Sequence, residues 1–326
     1  MNILASHCRN KHQILTIWIF ILPLFYLVTL VYRNGFWDLG PANHRTTSPS
    51  KSIQPSNNVE LVIASTSSDN TSWFRDYLSD ITANIYVTDD PRAEPSIPIN
   101  KGRETMPYLT YIIDRYDNLP EVLVFLHAGR FQWHNDNPDF DGLQMLQNLR
   151  LSYVQEVGYA NLRCAWAVGC PAEIRPAADE RKTWEGDIMT KYIFRQAWGE
   201  LFPDRQPPEV VGASCCGQFA VTRELVHRHS KQDYERWRQW LIDTPLDDRT
   251  AGTVLEYLWH IIFGKDDVDC PSAIQCYCNL YGLCDLDCTS EGGCSDRYQL
   301  PPFSTLPQGW PLVGWDGNPR NFSGPL

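Results

Sequence analysis

The stretch Asn100–Asp136, NKGRETMPYLTYIIDRYDNLPEVLVFLHAGRFQWHND, decides the fold. A polar opening leads into a run in which Met106, Leu109, Ile112, Ile113 and Tyr116 recur at steps of three and four. That spacing predicts a helix starting near Arg103 with one buried stripe. Pro107 sits in its first turns, where a missing N–H costs least. Asp117, Asn118 and Pro120 end it. Glu121–Leu126, EVLVFL, then forms a short apolar run rich in β-branched and aromatic residues. Such a run predicts a strand covered on both faces. The chain next turns abruptly polar and offers His127, Gly129, Arg130, Gln132, His134, Asn135 and Asp136. Ligands of open α/β sheets bind beyond the carboxyl ends of the strands, so this loop is the first place to expect a site.

Upstream, Val59–Ala64 (VELVIA) and Asn84–Val87 (NIYV) read as strands, with a helix from Trp73 to Leu78 between them. Strand, helix, strand, helix, strand is the alternation of a doubly wound α/β domain. Downstream, Leu143–Leu149 reads as a short helix, Arg163–Val168 as a strand and Asp187–Trp198 as a helix. Val210–Val221 reads as a strand pair or a strand bulged at Gly217, and Arg223–Asp243 and Thr250–Phe263 read as long helices. No internal repeat is visible.

Ile14–Tyr32 (ILTIWIFILPLFYLVTLVY) carries no charge and approaches the ~20 residues that a helix needs to cross a bilayer. Arg9, Lys11 and His12 precede it, and no small-residue cleavage site follows, which favours a retained signal anchor with a cytosolic N-terminus. The sequence therefore predicts a cytosolic tail (1–13), a transmembrane anchor (14–32), a Pro/Ser/Thr/Asn-rich stem (33–58), an α/β domain (59–264) and a cysteine-rich segment with a tail (265–326). The expected architecture is a single membrane-anchored lumenal domain with a mostly parallel central sheet flanked by helices. A disulfide-stapled C-terminal segment completes it. The expected setting is the endoplasmic reticulum or Golgi.

Of the 11 cysteines only Cys8 precedes the apolar run, which leaves an even number behind it. The group Cys270, Cys276, Cys278, Cys284, Cys288 and Cys294 contains no C-x-x-C pair, so disulfides within that group are expected rather than zinc. Vicinal Cys215 and Cys216 are expected to bridge to different partners. Asn70-Thr-Ser and Asn321-Phe-Ser are glycosylation sequons in a lumenal setting. With 39 acidic against 28 basic residues, the chain is not built for a nucleic acid polymer.

Several groups have the chemistry of a site. Lys101 and Arg103 flank Gly102 at a helix start, where two cations oppose the macrodipole unless an anion sits there. Glu104 can cap the helix or hold Arg103. His127 closes a strand and suits a ligand, base or oxyanion contact. A buried structural histidine is the competing reading. His134 and Asp136, in the same loop, could hold a divalent metal with it, although no standard metal motif fits. Glu256 and His260 are spaced i and i+4, one helical face, and read either as a catalytic pair or as buried core groups. Arg130 and Gln218 complete the polar set, Gln218 beside a glycine that permits close backbone approach. G-x-S-x-G, H-E-x-x-H, Walker and G-x-G-x-x-G motifs are absent.

Three segments in order, NKGRETMPYLTYIIDRYDNLPEVLVFLHAG, CCGQFAVTRE and EYLWHIIFG, resemble the domain of unknown function 3431 (DUF3431) family of largely fungal proteins. That resemblance implies a single domain over roughly Val59–Cys284 and no established reaction. The layout of anchor, stem, α/β units and polar loop also resembles nucleotide-diphosphosugar glycosyltransferases. In those a D-x-D motif holds a divalent metal after the central strand, where this chain has His127-Ala-Gly. The functions in view are three. A glycan-modifying transferase would use Lys101, Arg103, Glu104, Arg130 and Gln218 for substrate and His127, Glu256 and His260 for catalysis. A hydrolase or oxidase would use His127, His134, Asp136 and His260 around a metal. A disulfide-stapled module would bind a ligand without catalysis.

Overall fold

A computed structural model describes residues 58–175, 185–301 and 305–326. The tail, the apolar run 14–32 and nearly all of the stem lie outside the described residues. Among those described, no helix is long and apolar enough to cross a membrane.

The chain opens with β1 (Val59–Ser65), α1 (Ser72–Tyr77), β2 (Thr82–Val87), α2 (Thr105–Arg115) and β3 (Val122–His127). β1 pairs in parallel with β2 on one side and β3 on the other. This half is the predicted doubly wound unit. Successive residues of β1 divide between two cores, as the two-residue period of a strand requires. Val62 joins Met106, Leu109 and Ile112 of α2 on one face, while Leu61 and Ile63 join Trp73 and Phe74 of α1 on the other. The sheet is thus covered on both sides, as the EVLVFL run implied.

After β3 come α3 (Gly142–Asn148), α4 (Leu151–Val157) and β4 (Tyr159–Asn161). Then follow α5 (Glu185–Leu201), β5 (Gly212–Ala213), β6 (Phe219–Thr222), α6 (Arg223–Val226), α7 (Lys231–Asp243), α8 (Asp248–Glu256), α9 (Trp259–Ile262), β7 (Val268–Asp269) and α10 (Ala273–Tyr281). The main sheet runs β2-β1-β3-β6-β4, with β6 antiparallel to both of its neighbours. The sheet is mixed, not mostly parallel. A strand buried on both faces reads as a continuous apolar run whichever way its neighbour runs, so EVLVFL does not reveal the direction of β6.

Other boundaries differ from the sequence expectation for local reasons. Arg163–Val168 is not a strand, because its amides are taken by side chains. Asn161 Oδ1 accepts from Arg163 N–H at 2.8 Å, and Asp136 Oδ2 accepts from Cys164 and Ala165 N–H at 2.7 and 3.1 Å. The long helix expected after Arg223 is two helices. Ser230 N-caps the second in a capping box with Asp233. The last expected helix breaks at Tyr257–Leu258, where Leu258 N–H turns back to Leu255 O.

α10 falls within the cysteine-rich segment, where no helix was expected. Its Ala273, Cys276, Tyr277, Leu280 and Tyr281 are buried at helical spacing, with Tyr277 in the core beside α3 and α4.

The bridges are Cys164–Cys276, Cys170–Cys270, Cys215–Cys216, Cys278–Cys284 and Cys288–Cys294. Two of them lie within the C-terminal group as expected. Cys270 and Cys276 instead reach back across the fold, and the vicinal pair bridges to itself.

Candidate functional site

The chain order β1, β2 on one side, then β3 on the other, makes a topological switch point between β1 and β3. A cleft of about 690 Å³ opens at the carboxyl ends of these strands. That is where the α/β rule places ligands, and the volume suits a small organic molecule. Ser65, Thr88 and His127 contribute from the strand ends, Arg103 and Glu104 from the approach to α2, and Asp248 and Arg249 from the start of α8.

The floor is organised by Cys216-Gly217-Gln218, the turn leading into β6. Glu256, at the end of α8, accepts a hydrogen bond from Cys216 N–H through Oε1. Cys216 O lies 2.9 Å from His127 Nε2. A carbonyl only accepts, so Nε2 carries the hydrogen and Nδ1 is the basic position. Gln218 Oε1 accepts from His127 N–H at 3.1 Å, while its Nε2 donates to His134 O and Asn135 Oδ1 at 3.1 and 3.2 Å. Gln218 is thus buried as a clamp between β3 and the following loop. Gly217 has φ +59°, and a Cβ there would stand 2.9 Å from Glu104 Oε1. Glycine is required by both the left-handed backbone and the close carboxylate.

Glu104 and Glu256 thus flank one turn. Burial raises the Glu104 carboxyl from 4.5 to about 7, and Asp248 adds to the rise. Glu256 is raised to about 7 by burial and by the neighbouring Glu104. Like charges out of water resist joint ionisation, so the two hold a proton between them near neutrality. Burial lowers His127, and it stays neutral. His134 packs against His127 with tilted rings whose centroids are 4.3 Å apart, and against Trp133 at the same distance. Burial, then the neighbouring His127, holds its ring well below the ordinary histidine range. A proton reservoir of two carboxyls beside a neutral imidazole can give or take a proton at a cleft wall.

The sequence-derived site residues separate into those gathered here and those used elsewhere. His127, Glu104, Glu256, Arg103 and Gln218 converge, and His134 lines the same cleft. Lys101 does not belong to the site: Nζ donates to Ile242 O and Thr244 O and so caps the carbonyl end of α7. The anion expected at the start of α2 is Asp248, whose Oδ1 accepts from Gly102 and Arg103 N–H at 2.7 and 3.2 Å. Arg130 is buried in a two-bond pair with Asp141, each bond 3.0 Å.

His260 is turned off the Glu256 face by the break at Tyr257–Leu258. Its Nε2 bonds Asp267 O at 3.1 Å, and burial lowers its ring to about 4. Of the three residues expected to share catalysis, His127 and Glu256 are joined through Cys216 and His260 is not.

The metal reading does not fit these residues. Asp136 spends its carboxylate on two amides and on the Tyr277 hydroxyl at 2.7 Å. Among the described residues no group of three His, Cys, Asp or Glu could hold a metal ion. Asp248, Arg249 and Trp133 were missed. The signal for the first two was the DDRT sequence after Leu246, a capped helix start that the apolar pattern placed two residues late.

Fold and cleft together define a mixed α/β domain with a switch-point site built on carboxylates and an imidazole. The family model described as "Protein of unknown function (DUF3431)" matches residues 61–279, and the chain belongs to that family. No curated protein and no solved structure matches it.

Proposed function

We propose that the chain is a single-pass type II membrane protein of the secretory pathway whose lumenal domain transfers a sugar from a nucleotide-diphosphosugar donor. The observation that carries this reading is one cleft at the switch point that joins two arginines, Arg103 and Arg249, to the raised Glu104 carboxyl and the neutral His127 imidazole. Neither arginine has an ion-pair partner among the described residues. A diphosphate calls for such cations. In the step proposed, an acceptor hydroxyl attacks the anomeric carbon and passes its proton to the Glu104–His127 wall. The bond from that carbon to the diphosphate breaks, and its electron pair leaves with the diphosphate, whose charge the arginines stabilise. No step is routed through a metal.

The apolar run 14–32 supports the anchor, and the bridging of every cysteine behind it supports an oxidising compartment. The test is titration of the full-length protein in detergent with uridine and guanosine diphosphosugars, in chelator and in manganese. Saturable binding of one donor in chelator is the expected result. Binding of none in either condition sinks the donor assignment and leaves the ligand-binding module. Protection of the domain from protease in sealed microsomes tests the topology, and its digestion without detergent reverses it.

A further inference from the structure

We propose that an aromatic groove running from the cleft along Trp133, Trp310 and Trp315 is a subsite for a neutral oligosaccharide chain. Calling that chain the acceptor rests on the transferase reading above; the carbohydrate assignment does not. Gln132, Trp133 and His134 line both the cleft and a neighbouring depression of about 410 Å³, which Trp310 also lines. Trp310 also lines a third depression of about 610 Å³, together with Trp315, Phe140 and Arg320. The ring centroids of Trp310 and Trp315 are 5.3 Å apart, and Trp315 is 47% exposed. Consecutive depressions thus share residues and lead directly out of the candidate site.

The chemistry of the groove points to sugars. Indole faces present flat apolar surface, and a pyranose offers a matching C–H face while its hydroxyls remain wet. At the mouth, Gln132 Nε2 and His134 Nδ1 have no hydrogen-bond partner among the described residues, a state that costs about 1–3 kcal/mol per buried group unless a ligand hydroxyl meets it. The groove shows little net charge. Arg320 holds Asp139 at 2.7 Å and lies over the Trp310 ring at 3.8 Å, and Asp296 and Arg297 contribute one charge of each sign. An anionic polymer would find no unpaired cation cluster there, whereas a neutral polyhydroxyl chain needs none.

The experiment is calorimetric titration of the full-length protein in detergent with short chito-, β-gluco- and α-manno-oligosaccharides, and separately with uridine and guanosine diphosphate. Trp315→Ala removes an exposed ring, and equal melting temperatures will confirm that it folds. One oligosaccharide series is expected to bind the wild type and to bind Trp315→Ala about three- to tenfold more weakly. Nucleotide affinity should not change. If no series binds, or Trp315→Ala binds like the wild type, the groove assignment is overturned. Carbohydrate binding that depends on Trp315 without any nucleotide binding upholds the groove and sinks the transferase reading instead.

Discussion

Gly217→Ala tests how the floor of the cleft is built. The position has φ +59°, a left-handed conformation that costs an L-residue about 1–2 kcal/mol. The new Cβ would also stand 2.9 Å from Glu104 Oε1, closer than real Cβ contacts come. That oxygen ends a flexible side chain, so it will retreat by a few tenths of an ångström rather than unfold the domain. The two costs together should reach about 1.5–3 kcal/mol, mostly from the backbone. Urea denaturation of Gly217→Ala, Glu104→Ala and the double variant separates them. The double variant should recover the steric part, a coupling of about 0.5–1 kcal/mol. A Gly217→Ala protein as stable as the wild type would refute the left-handed conformation, and a cycle with no coupling would refute the contact with Glu104.

Stability should also depend on pH through the same groups. The folded chain holds more protons than the unfolded one between the ordinary 4.5 of Glu104 and its raised value of about 7, so stability falls as pH rises through that interval. Glu104→Gln should flatten this limb by about 1–2 kcal/mol in urea melts between mildly acid and mildly alkaline buffer, and an unchanged limb would contradict the burial of the carboxyl. His127, lowered by burial, has the opposite sign: its contribution is lost as pH falls below the ordinary 6.5, and His127→Gln should remove that loss. Cys164–Cys276 and Cys170–Cys270 span nearly the same stretch, with separations of 112 and 100. With one in place the other closes a ring of only about a dozen residues. Either bridge alone should therefore cost about 3 kcal/mol to remove and both together about 7–8 kcal/mol, more than the sum of the single losses, read as urea midpoints of the non-reducing variants. A double loss no greater than the sum of the single losses would show that the two bridges do not act on one loop.

Much of the scaffold was legible because it depends on local pattern. The stripe from Met106 to Ile113 and the run Val122–Leu126 need only their own periodicity, and the rule about strand ends placed His127 at a cleft. The missed features depend on distant partners. Whether β6 runs up or down the sheet follows from a turn at Cys216–Gly217 and a path through three helices and two strands after β3. Asp136 reads as a metal ligand until the amides of Cys164 and Ala165 claim it. Lys101 and Arg103 look alike in sequence, yet one caps α7 and the other lines the cleft. Glu256 and His260 satisfy an i, i+4 spacing that the break at Tyr257–Leu258 voids.

That contrast between Lys101 and Arg103 supplies the most direct measurement of the central claim, that the switch-point cleft holds a nucleotide diphosphosugar. The donor that binds the full-length wild type should be titrated into Arg103→Ala and Lys101→Ala. Loss of one charge-assisted contact to the diphosphate predicts about a tenfold or greater fall in affinity for Arg103→Ala. Lys101→Ala, which removes a helix cap outside the cleft, should melt lower and bind as the wild type does. Equal affinity in Arg103→Ala and the wild type, or an equal fall in both variants, would contradict the claim.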